Sequence, residues 1–163
     1  MKFVFIRKGT GISNMQEFIT NSIQETFDVA GKLAKSLKPG TLVTFEGNLG
    51  SGKTTFIKGL VAGLGLKRPD EVKSPTFALM HIYQAKCPVY HFDLYRLEKP
   101  EEAENIGFVE FSSDPAAVTC VEWPEKAGSL IPKSAVRVRL SVEGETRRKV
   151  QIIMPPKKEK GSV

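Results

Sequence analysis

The chain has 163 residues, 40% of them hydrophobic and 26% charged, the proportions of an ordinary globular protein rather than a disordered or fibrous one. No apolar run approaches the ~20 residues of a membrane-crossing helix. The opening "MKFVFIRKGTG" offers only Phe3 to Ile6 where a secretory leader needs roughly 7–15 apolar residues, so a cytoplasmic protein without a membrane partner is expected. The net charge of +6 sits wholly in Pro132–Val163, where nine Lys or Arg face three Glu. Such a patch either attracts nucleic acid or an acidic partner, or is a solvated face with a frayed tail.

Organised patterning begins at about residue 20, and Met15 is an alternative start. Ser22 and Glu25 have capping-box spacing, with Ser22 at the N-cap and Glu25 reaching back. Ile23, Phe27, Ala30, Leu33, Ala34 and Leu37 then recur at helical intervals until Lys38-Pro39-Gly40, which predicts a helix over about 23–38. "TLVTF" (41–45) reads as a buried strand, followed by a glycine-rich loop and a helix to about Leu64.

"FALMHIYQA" (77–85), "PVYHFD" (88–93) and "AVTCVE" (117–122) are further strands by their β-branched and aromatic content, and the last two end in Asp93 and Glu122. Val136, Val138, Leu140 and Val142 alternate with Arg137, Arg139 and Ser141. With a turn at Glu143-Gly144 and the returning "RRKVQII", they predict a hairpin with one apolar and one basic face. The pattern implies one three-layer α/β domain over residues 1–154, a P-loop NTPase-like fold with a mostly parallel mixed sheet and a C-terminal β-hairpin. Residues 155–163, "PPKKEKGSV", read as a disordered basic tail. Cys87 and Cys120 show neither zinc spacing nor a disulfide framework, and Cys120 reads as a buried free thiol.

Gly47-Asn48-Leu49-Gly50-Ser51-Gly52-Lys53-Thr54, with Thr55 after it, completes the phosphate-loop pattern between a strand and a helix. The glycines let backbone N–H groups close around an anion, and the helix N-terminus adds its dipole. Lys53 is expected on the β/γ-phosphates and the Thr54 hydroxyl on Mg²⁺. Magnesium requires hard oxygen ligands, which Asp93 and Glu122 at strand ends are placed to supply. One of the two would hold the metal while the other orients the attacking water.

No Asn-Lys-x-Asp is present to select guanine, so ATP is the expected nucleotide. Arg68 and Arg96 are the only arginines between the loop and the hairpin, too few for the lid of a small-molecule kinase. An arginine finger is worth roughly 10³–10⁵ in rate, so hydrolysis by the lone chain is expected to be slow unless Arg96 supplies one. A small-metabolite kinase and an RNA-binding module built on the basic hairpin are the competing readings. His91, a lone histidine on an alternating strand, reads as structural.

Taken in order, "TNSIQET", "GNLGSGKTTF", "SPTF", "HFDLYRL", "IGFVEF" and "VEWPE" resemble the bacterial TsaE (formerly YjeE) family over about Thr20 to Ile153. The resemblance implies a weak, partner-stimulated ATPase required for threonylcarbamoyladenosine formation in tRNA. It would act on a TsaD–TsaB complex, meet tRNA only through that complex and not bind DNA. It also implies Thr54 with Glu122 as the magnesium pair, and Asp93 orienting water or completing the metal shell. Thr76 would lie in a loop sensing the γ-phosphate, Trp123 near the nucleotide or partner, and Thr20 and Ser22 at the base. Asn48 stands where that family usually has Asp, which removes a charge but no backbone donor. Nothing in the resemblance extends to the first fifteen or so residues or to the tail.

Overall fold

The computed structural model describes residues 14–156; the alternative-start segment ahead of Asn14 and most of the predicted tail lie outside the described residues. Seven strands form one sheet: β1 (Asn14–Thr20), β2 (Leu42–Glu46), β3 (Met80–Gln84), β4 (Pro88–Asp93), β5 (Val118–Glu122), β6 (Val136–Val142) and β7 (Arg148–Met154). Their spatial order is β1-β7-β6-β2-β5-β4-β3. The central run β6-β2-β5-β4 is parallel, and antiparallel strands flank it on both sides. This is the expected mixed α/β sheet, with the predicted hairpin formed by β6 and β7.

Helices α1 (Ile23–Ala34) and α2 (Lys53–Gly63) cover one face; α3 (Pro100–Asn105) and α4 (Phe108–Ser112) lie over part of the other. Alternation along the central strands divides the core accordingly. Val43, Phe45, Cys120 and Val138 pack toward α1 and α2, whereas Leu42, Phe92 and Val121 pack with Ala103 and Phe108. Burial pushes the Cys120 thiol far above its ordinary value, and both cysteines are free, as a core role requires.

Ser22 caps α1 by accepting from the Glu25 N–H at 3.1 Å. The Glu25 carboxylate reaches one residue further back than the capping-box expectation, to the Asn21 N–H at 2.8 Å. The helix ends at Ala34, four residues short of the predicted end. There, i→i+3 bonds from Ser36 and Leu37 tighten the chain, and the Ser36 hydroxyl takes the Leu33 carbonyl at 2.7 Å. β3 begins at Met80 rather than Phe77, because Ser74 and Thr76 are bonded to Asp93 and Leu79 adopts a left-handed φ of 65°. β1, α3 and α4 have no counterpart among the predicted elements. "NMQEFIT" lacks a clean alternation, and its pairing with β7 over all seven residues supplies what the pattern does not.

The α1–α2 contact depends on small residues. A Cβ at Gly59 would come within 2.9 Å of both Ala30 Cβ and Phe27 Cα, so the helices approach nearly backbone to backbone. Gly59→Leu gains about 1 kcal/mol in helix propensity but overfills a closed seam at a cost of roughly 1–3 kcal/mol or more. Net destabilisation is expected in urea unfolding; a midpoint at or above wild type would contradict this packing account.

Candidate functional site

The site forms where the parallel strands end. β2 runs into the loop at Gly47, and β4 and β5 finish side by side with Asp93 in register with Glu122. A parallel centre places all three carboxyl ends on one edge of the sheet, where α/β proteins gather their ligands.

Three loop glycines have left-handed backbones: Gly47 at φ 148°, Gly50 at 77° and Gly52 at 101°. Gly47 admits no side chain, since a Cβ would lie 2.4 Å from the Leu140 carbonyl and 2.6 Å from Ser51 Oγ. Gly52 is the N-cap of α2 and brings no capping side chain, which leaves the first-turn N–H groups directed at the loop. Ser51 Oγ is buried without a hydrogen-bond partner among the described residues. Uncapped amides and an orphaned hydroxyl around a glycine cradle fit a bound phosphate group.

Lys53 is almost wholly buried, and its Nζ donates to the carbonyls of Gly47 at 2.7 Å and Asn48 at 3.1 Å. It also lies 4.0 Å from the centroid of the Trp123 ring. Burial pulls its ammonium below the ordinary lysine value, and the negative field of Glu122, Asp93 and Glu125 opposes that shift. Phosphate oxygens would supply the counter-charge that the loop carbonyls provide only as dipoles.

Glu122 and Asp93 are both 3% exposed, yet their surroundings differ. Glu122 Oε1 accepts from Thr54 Oγ1 at 3.0 Å and lies 2.9 Å from Nε2 of the fully buried His91. Among the described residues His91 Nδ1 has no hydrogen-bond partner, so the imidazole is committed to that carboxylate. Asp93 Oδ2 accepts from Ser74 Oγ and from Thr76 Oγ1 at 2.7 Å, and Oδ1 accepts from the Tyr95 N–H at 3.0 Å. Thr54 and Glu122 therefore offer adjacent hard oxygens of the kind magnesium takes. Asp93 instead anchors the loop containing Thr76.

A cavity of about 380 Å³ brings together Leu49, Gly50, Lys53 to Thr55, Thr76, Asp93, Glu122 and Trp123. Gly47 and Asn48 line a neighbouring cavity. Thr20 and Ser22 line neither: Thr20 is buried with its hydroxyl on Thr26 at 2.9 Å, and Ser22 is held as the α1 cap. Their strand end still lies on the same edge of the sheet, because β1 runs parallel to β6 and Thr20 pairs with Arg148. Arg148 is close enough that a Cβ on Gly52 would lie 4.0 Å from its Nε.

Arg96 stacks over the exposed Phe77 ring at 4.1 Å, and Arg68 pairs with Glu71. Ser74 and Tyr95 join the site without having been singled out in the sequence. Ser74 carried a signal, a hydroxyl two residues before Thr76; the Tyr95 contribution is a backbone N–H that no side-chain pattern reveals. Trp123 has a left-handed φ of 59° and packs on Tyr95 with centroids 5.0 Å apart. Among the described residues no helix is long and apolar enough to cross a membrane.

The family described as "Threonylcarbamoyl adenosine biosynthesis protein TsaE" matches residues 20–150. A tRNA threonylcarbamoyladenosine biosynthesis protein TsaE from Treponema pallidum is 34% identical over 134 residues, which are 82% of this chain and 97% of that protein. The Bacillus subtilis protein of the same name is 37% identical over 128 residues, 78% of each chain. A crystal structure of YdiB from Bacillus subtilis superposes with a TM-score of 0.68 at 26% identity, covering 90% of this chain and 89% of that one. With the family matched over residues 20–150 and relatives at 34% and 37% identity over most of its length, the chain belongs to the TsaE family of tRNA threonylcarbamoyladenosine biosynthesis proteins.

Proposed function

We propose that this chain is a magnesium-dependent ATPase of the cytoplasm, slow alone and stimulated by a TsaD–TsaB complex, that supports threonylcarbamoyladenosine formation in tRNA. The observation that carries the reading is the Thr54–Glu122 contact of 3.0 Å at the mouth of the phosphate loop. It brings a helix hydroxyl and a strand-end carboxylate together where a nucleotide's terminal phosphates would lie.

In this reading Gly47 to Thr55 grip the phosphates, and Lys53 leaves its two carbonyls for the β/γ-oxygens. Thr54 and Glu122 would hold Mg²⁺, which when bound neutralises charge on those oxygens. Asp93 keeps Ser74 and Thr76 close to the terminal phosphate, and its Oδ1 has capacity left to orient a water. Thr20 and Ser22 are proposed at the base, which would require their present hydrogen bonds to be exchanged. Among the described residues Lys53 is the one cationic side chain lining the cavity. Arg96 is engaged with Phe77, so transition-state charge goes short of an arginine worth up to roughly 10³–10⁵ in rate. A partner that brings such a group, or moves Arg96, would supply it.

The deciding measurement is ATP turnover with and without TsaD–TsaB from the same source, read as released inorganic phosphate. Stimulation is expected. An unchanged rate in the complex counts against the reading, and phosphoryl transfer to a small acceptor would indicate a kinase instead. Lys53→Ala is expected to abolish nucleotide binding and with it multi-turnover tRNA modification; modification at the wild-type rate would remove the loop from the mechanism. His91→Leu leaves Glu122 without its orienting partner. It should raise the magnesium concentration for half-maximal turnover by roughly 10–100-fold while nucleotide affinity in EDTA stays unchanged. An unaltered magnesium dependence would make His91 a packing residue only.

A further inference from the structure

A second cavity of about 500 Å³ lies against the junction of β2 with the phosphate loop and shares Trp123 with the cavity that holds Thr54 and Glu122. Its floor is the sheet itself. Thr44 and Glu46 of β2 sit in register with Arg137 and Arg139 of β6, and all four line the space. The loop residues Gly47 and Asn48 close one side, and Trp123 is the wall shared with the phosphate cavity.

The charges there do not cancel in place. Arg139 Nε bonds Glu46 Oε2 at 2.8 Å, while the exposed Glu125 adds to the field at Lys53. Arg137 is half-buried and, among the described residues, its side chain makes no hydrogen bond or ion pair. A guanidinium so placed has lost part of its hydration and gained no acceptor for its five N–H groups. Beside it, the left-handed backbone of Trp123 is a conformation that an aromatic residue adopts only when its surroundings hold it there.

We propose that this cavity receives one carboxylate side chain of the partner complex, bound by Arg137 next to the Trp123 ring. The inference rests on the partner-dependent reading above and deepens it by naming the docking chemistry. Arg139 and Glu46 satisfy one another, whereas the Arg137 guanidinium has no acceptor, and a planar carboxylate can take it in bidentate fashion. Glu46 and Glu125 in the same lining repel a phosphate dianion about twice as strongly as a singly charged carboxylate in the same place. The position also gives the occupant a route to the nucleotide grip. The Gly47 and Asn48 carbonyls that hold Lys53 border this cavity, and Trp123 touches the Lys53 ammonium directly.

The test titrates the TsaD–TsaB complex against the full-length wild-type chain, Arg137→Gln and Arg137→Lys, following stimulated ATP turnover. Arg137→Gln should raise the half-stimulating concentration about tenfold or more and leave nucleotide affinity and the unstimulated rate unchanged. Arg137→Lys, which keeps the charge without the planar fork, should fall between the two. It also carries the test if Arg137→Gln fails to fold by thermal melting. Half-stimulation at the wild-type concentration for the folded variants overturns the inference and leaves the partner-dependent reading intact. No stimulation of the wild-type chain itself overturns that reading, and this inference with it.

Discussion

Everything at the site hangs on Glu122. Its carboxylate takes the Thr54 hydroxyl from the first turn of α2 and meets the His91 imidazole from the middle of β4. One side chain thereby ties the helix that follows the phosphate loop to two neighbouring strands. A buried carboxylate without such partners would carry a heavy desolvation cost. His91, buried and aimed at it, is one reason the carboxylate persists at the mouth of the loop.

Asp93, one strand over and in register with Glu122, does the opposite kind of work. Its oxygens reach outward to Ser74, Thr76 and the Tyr95 N–H. Two acids at equivalent strand ends thus divide by surroundings: one is anchored inward to helix and core, the other holds down a loop. That loop carries Phe77, 84% exposed, so the polar anchor and the exposed aromatic lie on successive residues. Lys53 and Trp123 form the third part of the arrangement. The ammonium touches two loop carbonyls and an indole face and feels the carboxylates of Glu122, Asp93 and Glu125 only through their field, a grip that directly bonded phosphate oxygens would replace.

Much of this was legible in the chain. The phosphate loop is readable because its geometry needs particular glycines, and at Gly47 any side chain would strike the Leu140 carbonyl. β4 is readable to the residue because Pro88 opens it and β-branched and aromatic residues fill it. β1 escaped because four of its seven residues, Asn14, Gln16, Glu17 and Thr20, are polar, and only pairing with β7 makes a strand of them. The role of His91 escaped for a related reason. A histidine on an alternating strand looks alike whether its ring faces a core of carbons or a single carboxylate 31 positions away.

The order of residues along the chain is enough to specify the local chemistry: a left-handed glycine cradle, a lysine and threonine at a helix start, and acids closing two strands. Each of these follows from backbone sterics or residue type within a few positions. It took the folded sheet to show which acid meets Thr54, that Asp93 bonds the Ser74–Thr76 loop, and that Arg137 lies half-buried in the cavity walled by Trp123. Those outcomes depend on strand order and register in the sheet, which are settled by packing among residues far apart in the chain.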